Sequence, residues 1–561
     1  MTGAEALLRA LRAMGVERIY ASPGSDWAPL WEALAQPYKK GEVPEYISSR
    51  HEETAIGMAS GYAKATGKLP AVVIHTTVGA LHATMGMRAA LHERVPMVVL
   101  AGESVSFAEA PAPPAGRQWL RLLTDVGGPA RLVEPTVKWS FGLNSSLILP
   151  HTIQRACQLA LSPPRGPVFV SVPTEFLMEE ARSEPPEAAA LPAPPVANPQ
   201  AIAEVARALA AASRPVIVTE ELGRSARAVD ALVALAEALS APVLDGWHAD
   251  YVNFPRDHPL YAGVAVEPVN EILMEADFIL LAECVAPWHP PSALRGTRVA
   301  SLGEDPSHTH LPFWGYRADY LLPGDAEATL AALIAEVAKV MEPKSGERWR
   351  PRNERHRAEL RDKAREAGKG SAITAAWVAH ELNEVLPPDA IVVNETISHR
   401  GDLMRLLDRL PVGGFYESSY GGLGLGLGTA LGVKHAAPDR PVVLAIGDGS
   451  FYYNPVPAAF GACQEHNLPL FVVLFDNAGY FSQKNDVVRE YPDGWAVRTN
   501  KFIGTSIAPR PDYALLAQAF GGHGERVEKP GEVRAALKRG LETVAQGRLA
   551  LLHVVLAPIN K

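Results

Sequence analysis

Short apolar runs recur along the chain, and stretches of helical periodicity separate them. The runs cover residues 19–21, 71–74, 95–101 and 168–172, then 215–219 and 278–281, then 390–393, 442–446, 470–475 and 551–555. Runs this short, without polar alternation, suit parallel strands buried on both faces. Between them, apolar residues return at helical spacing, as Leu7, Leu8, Leu11 and Met14 do on one face. Strand alternating with helix predicts an α/β protein of several domains, each with a mostly parallel sheet flanked by helices.

Two segments interrupt the pattern. Residues 182–200 are rich in proline and alanine, and proline removes backbone donors, so this stretch reads as a connector. Residues 342–371 are dense in charge, with a solvated helix predicted at 353–367. The 561 residues exceed one compact domain, and the two cuts predict domains at 1–181, 200–341 and 371–561.

Composition narrows the function classes. Charged residues make up 20% and the net charge is −9, which argues against a nucleic-acid partner. The apolar runs fall far short of the ~20 residues that span a bilayer, so no membrane segment is predicted. The start, Met-Thr-Gly-Ala-Glu, passes into a helical pattern without the basic-then-apolar order of a signal peptide. Only Cys157, Cys284 and Cys463 occur. They lack metal-ligand spacing and read as packed thiols of a cytoplasmic protein.

The sharpest chemical feature is Gly447-Asp448-Gly449-Ser450, directly after an apolar run. Glycines around an aspartate let the backbone approach a phosphate while the carboxylate faces a cation. Asn477 follows Asp448 by 29 positions, room for a helix and a return strand. The two turns are then expected side by side at the carboxyl ends of adjacent strands, where open α/β sheets bind ligands. Asp448, the Asn477 amide oxygen and the Gly479 carbonyl would offer Mg2+ three hard oxygens beside a diphosphate.

This pair of turns resembles the diphosphate signature of the thiamine-diphosphate enzymes, and the resemblance extends over nearly the whole chain. Arg50-His51-Glu52-Glu53-Thr54-Ala55, with Gly57-Met58-Ala59-Ser60-Gly61-Tyr62-Ala63, resembles the family's glutamate motif. Asn253-Phe254-Pro255-Arg256-Asp257-His258-Pro259-Leu260 resembles the acetolactate synthase and benzoylformate decarboxylase branch. The resemblance implies a pyrimidine-binding, a central and a diphosphate-binding domain, in that order. It puts Glu52 in the place of the acid that activates the cofactor's pyrimidine from the facing subunit, hence a homodimer or homotetramer. It implies cofactor contacts at Ser398, Gly422, Gly447, Gly449, Ser450 and Tyr480. Leu423, in the run Tyr420-Gly421-Gly422-Leu423-Gly424-Leu425-Gly426-Leu427, falls on the wedge that bends the cofactor.

On the substrate side, Pro23-Gly24-Ser25 resembles the benzoylformate decarboxylase turn whose serine grips the substrate carboxylate. His75 and His289 fall near that enzyme's two catalytic histidines, and histidine relays protons near neutral pH. Phe481 and Gln483 are expected to line the substrate pocket. Asp476 stands where the family usually has asparagine. Val218-Thr219-Glu220-Glu221-Leu222-Gly223 lacks the glycine cluster of flavin-holding relatives, so FAD is not expected. The resemblance therefore implies a 2-oxo acid decarboxylase with carboligase capacity acting on a 2-oxo acid or related carbonyl compound. The alternatives are an acetolactate-synthase-like carboligase, a flavin oxidoreductase resembling pyruvate oxidase, and a relative that only binds.

Overall fold

A computed structural model describes the chain except for residues 106–108, 112, 114–124, 182–188, 266–269, 295, 344–347, 418–421 and 558–561. Part of the proline-rich connector, and Tyr420-Gly421 of the glycine-rich run, lie outside the described residues. The helix of the charged segment forms at Arg350–Ala367. Among the described residues, no helix is long and apolar enough to cross a membrane.

The strands make three six-stranded sheets, parallel throughout. The first holds β1 (Arg18–Ser22), β2 (Glu45–Ser48), β3 (Ala71–Ile74), β4 (Met97–Glu103), β5 (Trp139–Gly142) and β6 (Pro167–Pro173) in the order β2-β1-β3-β4-β6-β5. The second holds β7 (Pro215–Thr219), β8 (Val243–Asp245), β9 (Tyr261–Val264), β10 (Phe278–Ala282), β11 (Arg298–Gly303) and β12 (Tyr320–Pro323), ordered β12-β11-β10-β7-β8-β9. The third holds β13 (Ile391–Glu395), β14 (Phe415–Glu417), β15 (Val442–Gly447), β16 (Phe471–Asp476), β17 (His523–Val527) and β18 (Ala550–Val555), ordered β14-β13-β15-β16-β18-β17.

Inner strands such as β15 and β16 are buried at every position, because helices cover both faces. The first and third sheets share one strand order. The second has the order 3-2-1-4-5-6 of dinucleotide-binding folds. Each sheet has a switch point where neighbouring strands continue toward opposite edges: β1/β3, β7/β10 and β13/β15. Switch points of this kind are where open α/β sheets form ligand crevices at the carboxyl ends of their strands.

The outer two domains share one core, which runs from Tyr20 and Met58 to Leu431 and Leu474. It forms where helix Glu52–Thr66 crosses helix Gly426–Ala436. Glycine sets the distance of closest approach: a Cβ on Gly61 would lie 2.1 Å from the Thr429 carbonyl oxygen, and one on Gly432 would lie 2.0 Å from that of Met58.

Candidate active site

At the switch point of the third sheet, β13 runs into the turn Thr396–His399, and β15 runs directly into helix Asp448–Tyr453. β16 ends at Asp476, followed by Asn477 to Tyr480. Because β15 pairs in parallel with both β13 and β16, the three turns stand side by side. They enclose a cleft of about 270 Å3. Ser398, Gly422, Leu423, Gly447, Asp448, Gly449, Ser450, Asn477, Gly479, Tyr480, Phe481 and Gln483 all line it.

Asp448 is buried at the floor. Its Oδ1 accepts the Gly449 amide at 2.9 Å and its Oδ2 the Gly479 amide at 3.0 Å. Burial, and then the neighbouring Asp476 carboxylate, push it up to about 7. This place is short of positive charge, and a cation beside Asp448 would supply it. Among the described residues, no three or more His, Cys, Asp and Glu side chains form a metal site by themselves. A cation here would therefore draw its remaining oxygens from a bound diphosphate and water. Burial also works against the charge of Asp476, yet His553 Nε2 at 2.8 Å, the Ala478 amide and Arg510 hold its carboxyl below the usual range. Two non-glycine residues in these turns have left-handed backbone, Ile397 at φ 41° and Ala478 at φ 62°. Such strain collects at functional sites.

One residue that lines this cleft, His399, and one that supports it, Glu395, have roles that the sequence motifs do not assign. His399, pushed down to about 4 by burial, is neutral, and its Nε2 lies 3.2 Å from Asn477 Nδ2. A donating Asn477 amide nitrogen fixes the other end of that side chain, so Oδ1 takes the Gly479 amide at 3.1 Å. Glu395 holds the loop that carries Leu423. Its carboxyl accepts the amides of Gly424, Leu425 and Gly426 and the Asn454 side chain at 2.7–3.2 Å. Burial pushes it up to about 7 against those hydrogen bonds.

The switch point of the first sheet gathers Ser25, His75 and Glu52. The turn after β1 brings Gly24 under the His75 ring; a Cβ there would lie 2.2 Å from Nδ1. Gly79, one turn into helix Thr76–His92, fills the gap between His75 and Glu52. A Cβ on it would meet Glu52 Oε1 and His75 Cβ, both at 3.3 Å. Glu53 turns elsewhere: the place of a Gly424 Cβ is 2.8 Å from its Oε1, and burial and then the charge of Glu395 push it up to about 7. None of Ser25, Glu52 and His75 lines the cleft of the third sheet. His289 is exposed on the central domain, after β10, and also lies outside that cleft.

At the central switch point the chain has placed its own anion. Glu220 follows β7 and is fully buried. Its Oε2 accepts the Val285 and Ala286 amides at 2.5 and 2.9 Å, and its Oε1 the His248 amide at 2.8 Å. Next to it, Arg94 of the first domain reaches Glu283 at 2.7 Å and Glu221 at 4.0 Å.

Comparison with known proteins matches this architecture domain by domain. Residues 1–112 match the thiamine pyrophosphate enzyme N-terminal TPP binding domain, 202–333 the central domain and 398–554 the C-terminal TPP binding domain. The chain belongs to the thiamine pyrophosphate enzymes, in the branch of decarboxylases and acetolactate synthases. It is 28% identical to the acetolactate synthase isozyme 2 large subunit of Escherichia coli, over 99% of this chain and 95% of that one. It is 27% identical to benzoylformate decarboxylase of Pseudomonas aeruginosa, over 97% of each. The crystal structure of benzoylformate decarboxylase from Polynucleobacter necessarius shares the fold, with a TM-score of 0.82 at 22% identity over 100% of this chain and 99% of that one.

Proposed function

We propose that the protein is a thiamine-diphosphate- and Mg2+-dependent 2-oxo acid decarboxylase with carboligase capacity. The observation that carries this reading is the pairing of a diphosphate-sized cleft over Asp448 with a second, polar switch point that holds Ser25, His75 and Glu52. When bound, the cofactor supplies a carbon nucleophile for the keto carbon and an electron sink for the carbon–carboxylate bond. Asp448, Asn477 and the Gly479 carbonyl would hold Mg2+, and Ser398 and the Gly449-Ser450 turn would meet the diphosphate. Leu423 would press between the cofactor's rings, with Glu395 holding its loop.

Glu52 would hold a proton on the pyrimidine nitrogen. Ser25 would donate to the substrate carboxylate, and His75 would carry the proton that the product carbon gains when carbon dioxide leaves. His289 stays in the proposal as a second histidine. Phe481 and Gln483 would face the substrate. Ser25, Glu52 and His75 lie outside the cleft of their own chain. This supports a homodimer or homotetramer in which two chains complete each site. The filled central crevice supports a protein without flavin, and three free, buried cysteines suit a cytoplasmic setting.

A product screen over a panel of 2-oxo acids, with and without acceptor aldehydes, tests the reaction. Aldehyde formed without acceptor supports the decarboxylase. Hydroxyketo acid as the main product would favour the second reading, an acetolactate-synthase-like carboligase, which the likeness to the E. coli enzyme motivates. Glu52→Gln should slow exchange of the bound cofactor's C2 hydrogen by about 10²–10⁴-fold. His75→Ala and His289→Ala should leave that exchange unchanged and slow turnover. Mixing Glu52→Gln with Asp448→Ala chains, after subunit exchange, should restore activity. No recovery in verified mixed dimers would mean that one chain builds the site alone.

A further inference from the structure

The switch point of the first sheet contains a charged residue that neither the motifs nor the reading above uses. Asp26 follows Ser25 in a short helical turn, and its side chain is fully buried. Its Oδ1 lies 2.7 Å from His75 Nδ1, while its Oδ2 is buried without a hydrogen-bond partner. Three neighbours pin it. Thr174 Oγ1 donates to the Asp26 carbonyl at 3.0 Å. Trp27 Nε1 donates to the Ile74 carbonyl at 2.8 Å, which ties this turn to the end of β3 next to His75. Gly102 on β4 leaves the space for the carboxylate, since a Cβ there would lie 1.9 Å from Oδ2.

A buried carboxylate with half of its acceptor capacity unmet costs stability. A plain core position would be better filled by an apolar side chain. What the carboxylate does supply is direction. Its contact is with one ring nitrogen of His75, and an acceptor at Nδ1 puts the proton there. That leaves Nε2, on the opposite edge of a ring still partly open to solvent, as the nitrogen that exchanges protons. Gly24 beneath the ring and Gly102 behind the carboxylate fix the plane in which this happens.

We propose that Asp26 is a positioning residue. It holds His75 as the Nδ1–H tautomer and aims Nε2 at the substrate, and Gly102, by lacking a side chain, leaves the space that the carboxylate occupies. The proposal rests on the substrate-side role given to His75 above. Its closing experiment separates the two.

In protein labelled with 15N-histidine, long-range proton–nitrogen spectra read the tautomer directly, and the His75 signals are those lost in His75→Gln. The parent should show Nδ1 protonated, and Asp26→Asn should lose that preference. In the holoenzyme, Asp26→Asn should lower kcat by about 10²–10⁴-fold, as expected for a misdirected acid–base histidine. KM should stay within about threefold, marking an effect on the chemical step rather than on binding. C2 hydrogen exchange should also stay at the parent level, because Glu52 governs it, and this exchange shows that the variant has folded and bound cofactor. Gly102→Ala should reproduce the kcat loss by displacing the carboxylate. A parent His75 protonated at Nε2 overturns the proposal even if no variant folds. So does an Asp26→Asn enzyme whose tautomer and kcat match the parent's. A parent that turns over no 2-oxo acid overturns the proposed reaction instead, and the tautomer measurement then decides the Asp26–His75 pair alone.

Discussion

The crevices of the central and third sheets arise in the same way, from two parallel strands that part toward opposite edges, yet one is closed and the other open. In the central sheet, Glu220 fills the crevice and satisfies the amides of His248, Val285 and Ala286. In the third sheet, Asp448 also accepts two amides, but burial and Asp476 still push it up to about 7. The strand order supplies a place for an anion. The residue that ends the strand decides whether the protein fills it or leaves it for a ligand. A glutamate is long enough to reach back and bond the amides that a phosphate would take. A shorter aspartate between glycines leaves the cleft free.

Three changes probe this contrast. The largest effect is expected from Asp448→Ala, which removes the only carboxylate proposed to hold the metal. Breaking a buried charge pair costs about 3–5 kcal/mol, so calorimetry should show Mg2+-dependent cofactor affinity falling by two or more orders of magnitude. Normal binding would put the metal somewhere else. Next is Glu220→Ala, which takes the acceptor from the buried Val285 amide and the part-buried His248 and Ala286 amides, and should cost about 2–4 kcal/mol in denaturant unfolding. Sulfate should restore more stability to this variant than to the parent, because it offers the missing oxygens. A variant as stable as the parent would show that Glu220 merely occupies space. The smallest effect is expected from His399→Ala. Freeing the Asn477 side chain should weaken cofactor binding by about 1 kcal/mol, with turnover of saturated enzyme nearly unchanged.

Buried strands were the most legible part of the fold. Inner strands such as β3, β4, β6, β7, β10, β15 and β16 read as apolar runs because helices cover both faces. All six edge strands escaped the pattern: β17, His523–Val527, because four of its five residues are partly or fully exposed, and β14, Phe415–Glu417, although buried, because it is only three residues long and ends on a glutamate. β8 and β11 were also missed, because Asp245 and Ser301 break their runs. The turns around Asp448 and Asn477 were legible through composition and spacing. The tasks of Glu395, His399, Asp26 and Glu220 were not, because each rests on partners far along the chain. Glu395 meets Gly424 after 29 positions, Asp26 meets His75 after 49, Glu220 meets Val285 after 65 and His399 meets Asn477 after 78.

The crossing of the two glycine-lined helices also bears on how the chain is made. Gly57 and Gly428 touch across it, about 370 residues apart. A ribosome adding about 5–20 residues per second releases the first helix roughly 20–75 s before its partner exists. During that interval the face of this helix that packs on helix Gly426–Ala436 lacks that partner, and its glycines weaken the helix itself. The first domain therefore leaves synthesis with an unfinished core, and its folding is completed only when the last third of the chain arrives. Pulse proteolysis of nascent chains should find helix Glu52–Thr66 cleavable until residue 436 has emerged, and protected afterwards.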